Sequence, residues 1–552
     1  MAERWNVIDA SPPVAEPEPD PAPELYTGER DAHRWNVPEG VQASVYLGNS
    51  VKDYGAVGDG VRDDTTAIQA AIDIVGVDGG TVWFPPGVYR CTEIIDVPSG
   101  ITLQGSGSSS VIDLIDDGTL TSRSILIENV SNVCVRNLAF ISSNTASRSA
   151  VYGHIRVQGS THVSITDCEF GLGPSVAVWT MTSTDLEVSR NRIDGVLADG
   201  LHVTRGCKHV RIIGNYITNT GDDAIGLISV RNDTPPDIDY TTQEDILVSG
   251  NTITNVTLGV GISVAGGHNI KLTDNTIDGT DGCGIVVWGG PTYFYAYKVV
   301  VARNVIRDVG KAMVSSGTES GIRVSNTRDF QILDNDLDLC PSQGVDLAGV
   351  CRDFVIRCGP MRRIGGCGVF VYPTPDNTAT LLQELWTDLG DSPPGMAYTG
   401  DGHISGLVAD SVADGVYIDG STTYRTDGIT IDVEVRDAGE DGIHLNWTTG
   451  ARVRAHTRRS VGAGLKFSNC FECDASIDSV DDGYGLFLLS SNDNFVHGCR
   501  INPATSSDGS GIYEDPTSDY NAITNNVVKI GTPDGIITSG VNTVVTPANR
   551  SY

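Results

Sequence analysis

Nowhere in this 552-residue chain do 18 apolar residues run together, so no segment reads as a membrane-spanning helix and no membrane insertion is expected. Basic residues are scarce. Thirty-seven Lys and Arg face 70 Asp and Glu, a formal charge of −33. That excludes a basic, phosphate-neutralising nucleic-acid binder. Each sign is also lopsided, with 7 Lys against 30 Arg and 17 Glu against 53 Asp. Turn chemistry accounts for part of the Asp excess, and the remaining charge suits a salt-rich setting, a halophilic reading. The first residues, Met1-Ala-Glu-Arg-Trp, have no basic start followed by an apolar run, so no secretory signal is read there. The expected location is a virion tail or the extracellular space reached by another route. The 12 cysteines are read as small buried apolar residues, free rather than paired, with no zinc site.

What is abundant is glycine, 64 residues, beside a hydrophobic fraction of 39% that suffices for a large core. The glycines recur in phase. Gly–apolar–x–apolar appears as Gly200-Leu-His-Val, Gly261-Ile-Ser-Val, Gly284-Ile-Val-Val, Gly321-Ile-Arg-Val and Gly344-Val-Asp-Leu, and continues to Gly535-Ile-Ile. Intervals cluster at 21–27 residues; two of 37 imply insertions, and one of 47 is read as two turns. A second series, Asn191, Asn215, Asn251, Asn275, Asn304 and Asn335, runs beside it. Asn tolerates left-handed backbone and bonds along a stack, so these are read as corners. One 23-residue unit is too short to bury its own face, so units must stack. The predicted fold is all-β, a single right-handed parallel β-helix.

Four segments follow. Residues 1–50 form an extended Pro- and acid-rich arm, in which Arg-Trp-Asn-Val occurs at both Arg4–Val7 and Arg34–Val37, suggesting a docking segment. Residues 51–115 are an N-terminal cap and first coils, with Asp63 or Asp64 capping a helix, Thr65–Ile74, that covers the exposed sheet edge. Residues 116–540 are the coils, and 541–552 a tail. The stretch VKDYGAVGDGVRDDTTAIQAAID…GGTVWFPPGVYR resembles the amino-terminal cap of the pectate lyase superfamily, which includes polygalacturonases and many viral tail spikes. The resemblance implies the fold; it does not specify a reaction.

Asp199 precedes Gly200, and Asp223 precedes Ala224 at the same phase, with Asp222 beside it. Carboxylates stacked on adjacent coils push one pKa up and leave another ionised, which supplies a general acid and a general base. Such acids also suit a calcium ion, or are simply turn residues. Asp414-Gly415 and Asp441-Gly442 share the phase and are read as turns. The pattern ADG…GDD is similar to the acidic core of the polygalacturonase family, glycoside hydrolase family 28. The resemblance implies Asp222 as general acid, Asp199 and Asp223 activating water, and an inverting hydrolase, with a lyase as the alternative. This chain departs from that family where it places Gly-His-Gly, since Gly259-Val260-Gly261 stands there. The Arg-Ile-Lys clamp position falls near Val286-Val287-Trp288. His202 and Arg323, both outward, are the candidate substitutes.

Two insertions flank this face and offer Arg231 from one, and Tyr293, Phe294, Tyr295 and Tyr297 from the other, as substrate-binding groups together with Trp288. Outward Phe370, Tyr417, His444, Phe487 and Tyr513 extend an aromatic strip. Three functions fit. One is a polysaccharide-cleaving viral tail spike that attaches to the virion through residues 1–50 and, as the resemblance implies, is a homotrimer. The others are a free glycoside hydrolase or lyase, and a binding or structural protein without activity.

Overall fold

In the computed structural model the described residues run from 49 to 551, apart from 116–123, 144–152 (Arg148 excepted), 231–241, 290–294, 312–318, 374–398, 503–510, 529–535 and a few single positions or short stretches. The arm motifs, Arg231, Tyr293 and Phe294 lie outside them. Among the described residues no helix is long and apolar enough to cross a membrane.

The chain winds as a right-handed parallel β-helix. A coil supplies up to three strands, for example Leu201–Thr204, Lys208–Ile213 and Tyr216–Thr218. Every ladder between coils is parallel, and the third strands form a 12-stranded sheet that ends at Met361–Ile364. Alternation decides what faces inward: Leu201 and Val203 are buried, as are Ile225 and Leu227 one coil on, and the intervening residues point out. The 47-residue interval is one coil, not two. Phe370 pairs directly with Tyr417, and the extra residues are the insertion around 374–398. Pairing also continues past residue 541, where Val544–Val545 lies on Ala522 and Ile523.

Helix α1 (Thr65–Gly76) caps the first coil with Ile68, Ala71, Ile72 and Val75 buried. Asp63 Oδ1 accepts from the Thr65 N–H at 3.0 Å, whereas Asp64 turns back onto the Val57 and Gly58 N–H groups at 2.7 and 2.9 Å. The two acids divide the work expected of one cap.

The Asn series is a buried zipper. The Asn191 N–H and Nδ2 both donate to Asn215 Oδ1, at 2.9 and 3.0 Å, and Asn215 does the same to Asn251 at 2.9 Å each. Each Nδ2 also reaches a backbone carbonyl of the preceding coil, as Asn215 does to Val188 O at 2.9 Å. The Asn residues are not themselves left-handed. The preceding residue takes that conformation: Arg190, Gly214, Gly250, Asp274, Arg303 and Asp334 all have positive φ. Of the 36 described non-Gly residues with positive φ, 13 are Asp, so corners do recruit that residue. Corners also explain Arg over Lys. Arg190 grips Asp167 of the coil before it through two bonds, 2.9 and 2.8 Å, and Arg303 grips Asp274 at 2.8 and 2.7 Å. A planar fork spans two coils where a single ammonium does not.

All 12 cysteines are free and all but Cys134 are buried. Cys470 and Cys473, one Cys-x-x-Cys spacing, stand in core positions and donate to Leu445 O and Thr448 O. That spacing serves packing between coils.

Candidate active site

One outward ladder organises the face that the sequence singles out. Trp179 pairs with His202, His202 with Gly226, Gly226 with Ser263, Ser263 with Val286, and Val286 with Arg323. Strand alternation places all six on the solvent side. The residue before each strand's glycine or alanine sits at the coil corner, and there Asp199 and Asp223 stack: Gly200 N–H donates to Asp223 O at 3.0 Å.

These residues come together as expected, with partners that the sequence did not disclose. His202 Nδ1 lies 2.5 Å from Asp199 Oδ2. The Asp199 side chain is only 10% exposed. Trp179 meets the imidazole edge-on, ring centroids 5.5 Å apart. Gly226 keeps the space above this pair open, since a Cβ there would stand 2.9 Å from Asp199 Oδ2 and 3.4 Å from His202 Nδ1. Asp222, 33% exposed, is held by Arg148 at 2.5 Å.

Asp223 is half-buried, its carboxyl enclosed by the coils on either side. Its Oδ1 accepts the Val260 N–H at 2.9 Å. Burial first, and the nearby Asp199 second, push its pKa up to about 7. The coil that in polygalacturonases carries Gly-His-Gly therefore contributes a backbone N–H here. Gly259 is required beside it, because a Cβ would fall 2.7 Å from Asp223 Oδ1 and closer still to backbone.

Other expectations are redistributed. Trp288 stands outward at the end of the strand Ile285–Trp288, beside Ser325 of the next coil. Arg323 is on the same ladder as His202 but four coils away, about 19 Å at the usual interstrand spacing. It contacts Asp346 Oδ2 at 3.3 Å and donates to Tyr372 Oη at 3.1 Å. Tyr295 is buried, 7% exposed, against Gly289, so it packs the body and does not line a groove. Tyr297 belongs to the second-strand ladder, between His268 and Arg328, where its ring meets His268 edge-on at 4.7 Å. Both rings were expected on the groove wall because the loop is aromatic; Tyr295 instead packs against Gly289, and strand pairing claims Tyr297.

A second cluster escaped the sequence reading. Asp441-Gly442-Ile-His444 repeats the Asp199-Gly200-Leu-His202 spacing. Here the stacked carboxyl is Asp414 on the preceding coil, whose Oδ1 accepts the Asp441 N–H at 2.8 Å. His444 Nδ1 lies 3.9 Å from Asp414 Oδ2 and 3.8 Å from Asp441 Oδ2, and Lys466 Nζ lies 3.3 Å from Asp441 Oδ2. Read as bare turns, these acids in fact have an imidazole and an ammonium for company. The repeated His at position +3 was the available signal. Ligand atoms of Asp414, Asp441 and His444 fall within 4.8 Å of one another.

Known proteins resemble the chain in pieces. Residues 49–286 match the family described as rhamnogalacturonase A/epimerase, pectate lyase-like; 228–358 match the right-handed β-helix region, and 397–550 the periplasmic copper-binding protein NosD. Mannuronan C5-epimerase AlgE4 of Azotobacter vinelandii is 33% identical over 177 residues, 28% of this chain and 32% of that protein. Plasmin and fibronectin-binding protein A of Streptococcus pneumoniae is 46% identical over 69 residues, 12% and 10% of the respective chains. The matched segments thus span a third or less of these relatives. The catalytic unit of a GH87 α-1,3-glucanase from Streptomyces thermodiastaticus superposes with a TM-score of 0.51 at 22% identity, covering 73% of this chain and 66% of that one. At that identity the likeness is one of fold.

Proposed function

We propose that this right-handed parallel β-helix, whose residues 49–286 match a pectate lyase-like family, acts on polysaccharide, hydrolysing glycosidic bonds at the Asp199–Asp222–Asp223 face. The observation that carries this reading is Asp223, a half-buried carboxyl beside Asp199 and Asp222, held up to about 7 by desolvation and by those two acids. A group so placed carries a proton near neutrality and gives it to the glycosidic oxygen as that bond breaks. Asp222 is the carboxylate that water reaches, and Arg148 fixes its orientation. It takes the proton of the water that attacks the anomeric carbon. Asp199 orients His202, and Trp179 packs edge-on against that imidazole. The acid role thus falls on Asp223, where resemblance alone assigns it to Asp222. Beyond His202 the small residues Gly226, Ser263 and Val286 leave a shallow track along the axis for a chain to follow.

The test is incubation with mannuronan and with α-1,3-glucan. New reducing ends without unsaturated ends, lost in Asp223→Asn, support hydrolysis. Unsaturated ends, or inverted uronate without cleavage, support a second reading in which the close Asp199–His202 pair abstracts a carbon-bound proton. The epimerase relative favours that alternative. The tail-spike setting rests on the resemblance of the cap and on the arm at residues 1–50. A solution mass of three chains supports it, and a monomer that depolymerises glycan argues for a free enzyme.

A further inference from the structure

Past the track the same ladder changes character. From Arg323 it continues as Asp346, Phe370, Tyr417, His444 and Lys466, with Phe487 and Tyr513 after them, one residue per coil. Phe370, Tyr417 and His444 stack on one another with centroids 5.2 and 4.7 Å apart, and Phe487 stacks on Tyr513 at 4.8 Å. Lys466 stands between the two stacks, flanked by the Asp414–Asp441–His444 cluster. At the near end Asp346 has a 2%-exposed side chain, and Arg323 Nη1 reaches its Oδ2 at 3.3 Å. His444 lies eight coils from His202, about 38 Å, too far to belong to the first site.

We propose that this strip is a second glycan-binding site, separate from the Asp199–Asp222–Asp223 centre. The chemistry fits a polyhydroxylated chain. Ring faces in file offer apolar surface to the flat faces of sugars, while Lys466, Arg323, His444 and the carboxyls supply alternating donors and acceptors for hydroxyl groups. The cluster holds little net charge. Burial, and then Asp441, push Asp414 up to about 7, while burial and Lys466 push His444 down to about 4. A neutral imidazole and a carboxyl that keeps its proton into the neutral range suit hydroxyls better than a free ion.

The experiment measures binding without turnover, so it stands apart from the hydrolase reading. The full chain carrying Asp223→Asn is titrated calorimetrically with long and short oligosaccharides of mannuronan and of α-1,3-glucan. Adding Lys466→Met or, separately, Tyr417→Ala should weaken binding of at least one probe by about tenfold, the loss of one or two good contacts. Trp179→Ala at the first site should leave that component in place. Tyr417→Phe should bind as the parent, which separates lost ring surface from lost hydroxyl. Thermal melts of each variant confirm folding. Unchanged affinity in both folded variants overturns the proposal, as does failure of every probe to bind the parent. So does a change of solution mass in the variants with glycan affinity intact, which makes the strip an interface between copies. A parent that binds through the strip yet never releases reducing ends sinks the hydrolase and leaves this site standing.

Discussion

At the residue scale the proposed hydrolysis turns on where one proton rests. Asp223→Asn should cost at least about 100-fold in turnover, the usual contribution of a general acid, read as reducing ends per unit time. The same substitution has a thermodynamic signature with a fixed sign. The folded-state pKa is raised from 3.8 to about 7. The stability this group contributes is therefore full below pH 4 and is lost as the pH rises through about 7. Asn is neutral throughout, so the melting temperature of the variant relative to the parent should climb between pH 4 and 7; a flat difference would place the proton elsewhere. Gly226→Ala tests geometry alone. A Cβ at 2.9 Å from Asp199 Oδ2 must displace the His202 partner, and turnover should fall about tenfold or more while the thermal melt barely moves. What the sequence disclosed at this scale was the set of acids and His202, because phase in a repeat is visible. What it withheld were Arg148 and Trp179, which reach the site across 74 and 23 residues of sequence and only through the pairing of coils.

An element of this protein is a ladder, a single position repeated coil after coil. The Asn zipper is the clearest. Asn251→Ala removes an acceptor serving two donors of Asn215 and a donor to Ile212 O, all buried. Leaving such groups unpaired should cost about 3 kcal/mol, measured by denaturant unfolding. The exposed corner pairs behave differently. Asp274→Ala frees Arg303 into solvent, and its effect on melting should be small and should shrink further with added salt. The periodic Asn series made the zipper legible; its backbone did not follow, because the strained left-handed position belongs to the residue one step earlier, which varies among Arg, Gly and Asp. The 47-residue gap misled for a related reason: spacing counts residues, whereas only pairing tells an inserted loop from a whole turn.

Across the whole molecule two populations of aspartate pull the pH profile in opposite directions. Asp223, half-buried, and Asp346 and Asp414, buried, have pKa values pushed up to about 7, 6 and 7, so each withdraws stability as the pH rises toward neutrality. Asp167, Asp274, Asp334 and Asp437 are held below 3.8 by hydrogen bonds from arginine, and withdraw stability only as the pH falls below that range. Scanning calorimetry should therefore find the highest melting temperature in mildly acid solution, roughly pH 4 to 5, with a decline toward pH 8. A maximum at pH 8 would show that Asp223, Asp346 and Asp414 are not protonated as their surroundings dictate. The overall architecture was readable from glycine phase alone, since nothing but stacking buries so short a unit. The aromatic strip was readable as well. Its division into an open track and a filled run needed the register, which turns a list of outward residues into neighbours.

The buried thiols give the solenoid a built-in gauge of its own fraying. From Cys91 in the first coils, through Cys207, Cys283 and Cys340, to Cys499 near the last ones, shielded sulfurs mark successive depths along the axis. Burial keeps them unreactive, with Cys168 and Cys499 pushed up to about 12. A thiol-directed label followed by peptide mass mapping would then record which end of the rod opens first. The order of modification would be a map of local stability written in sulfur.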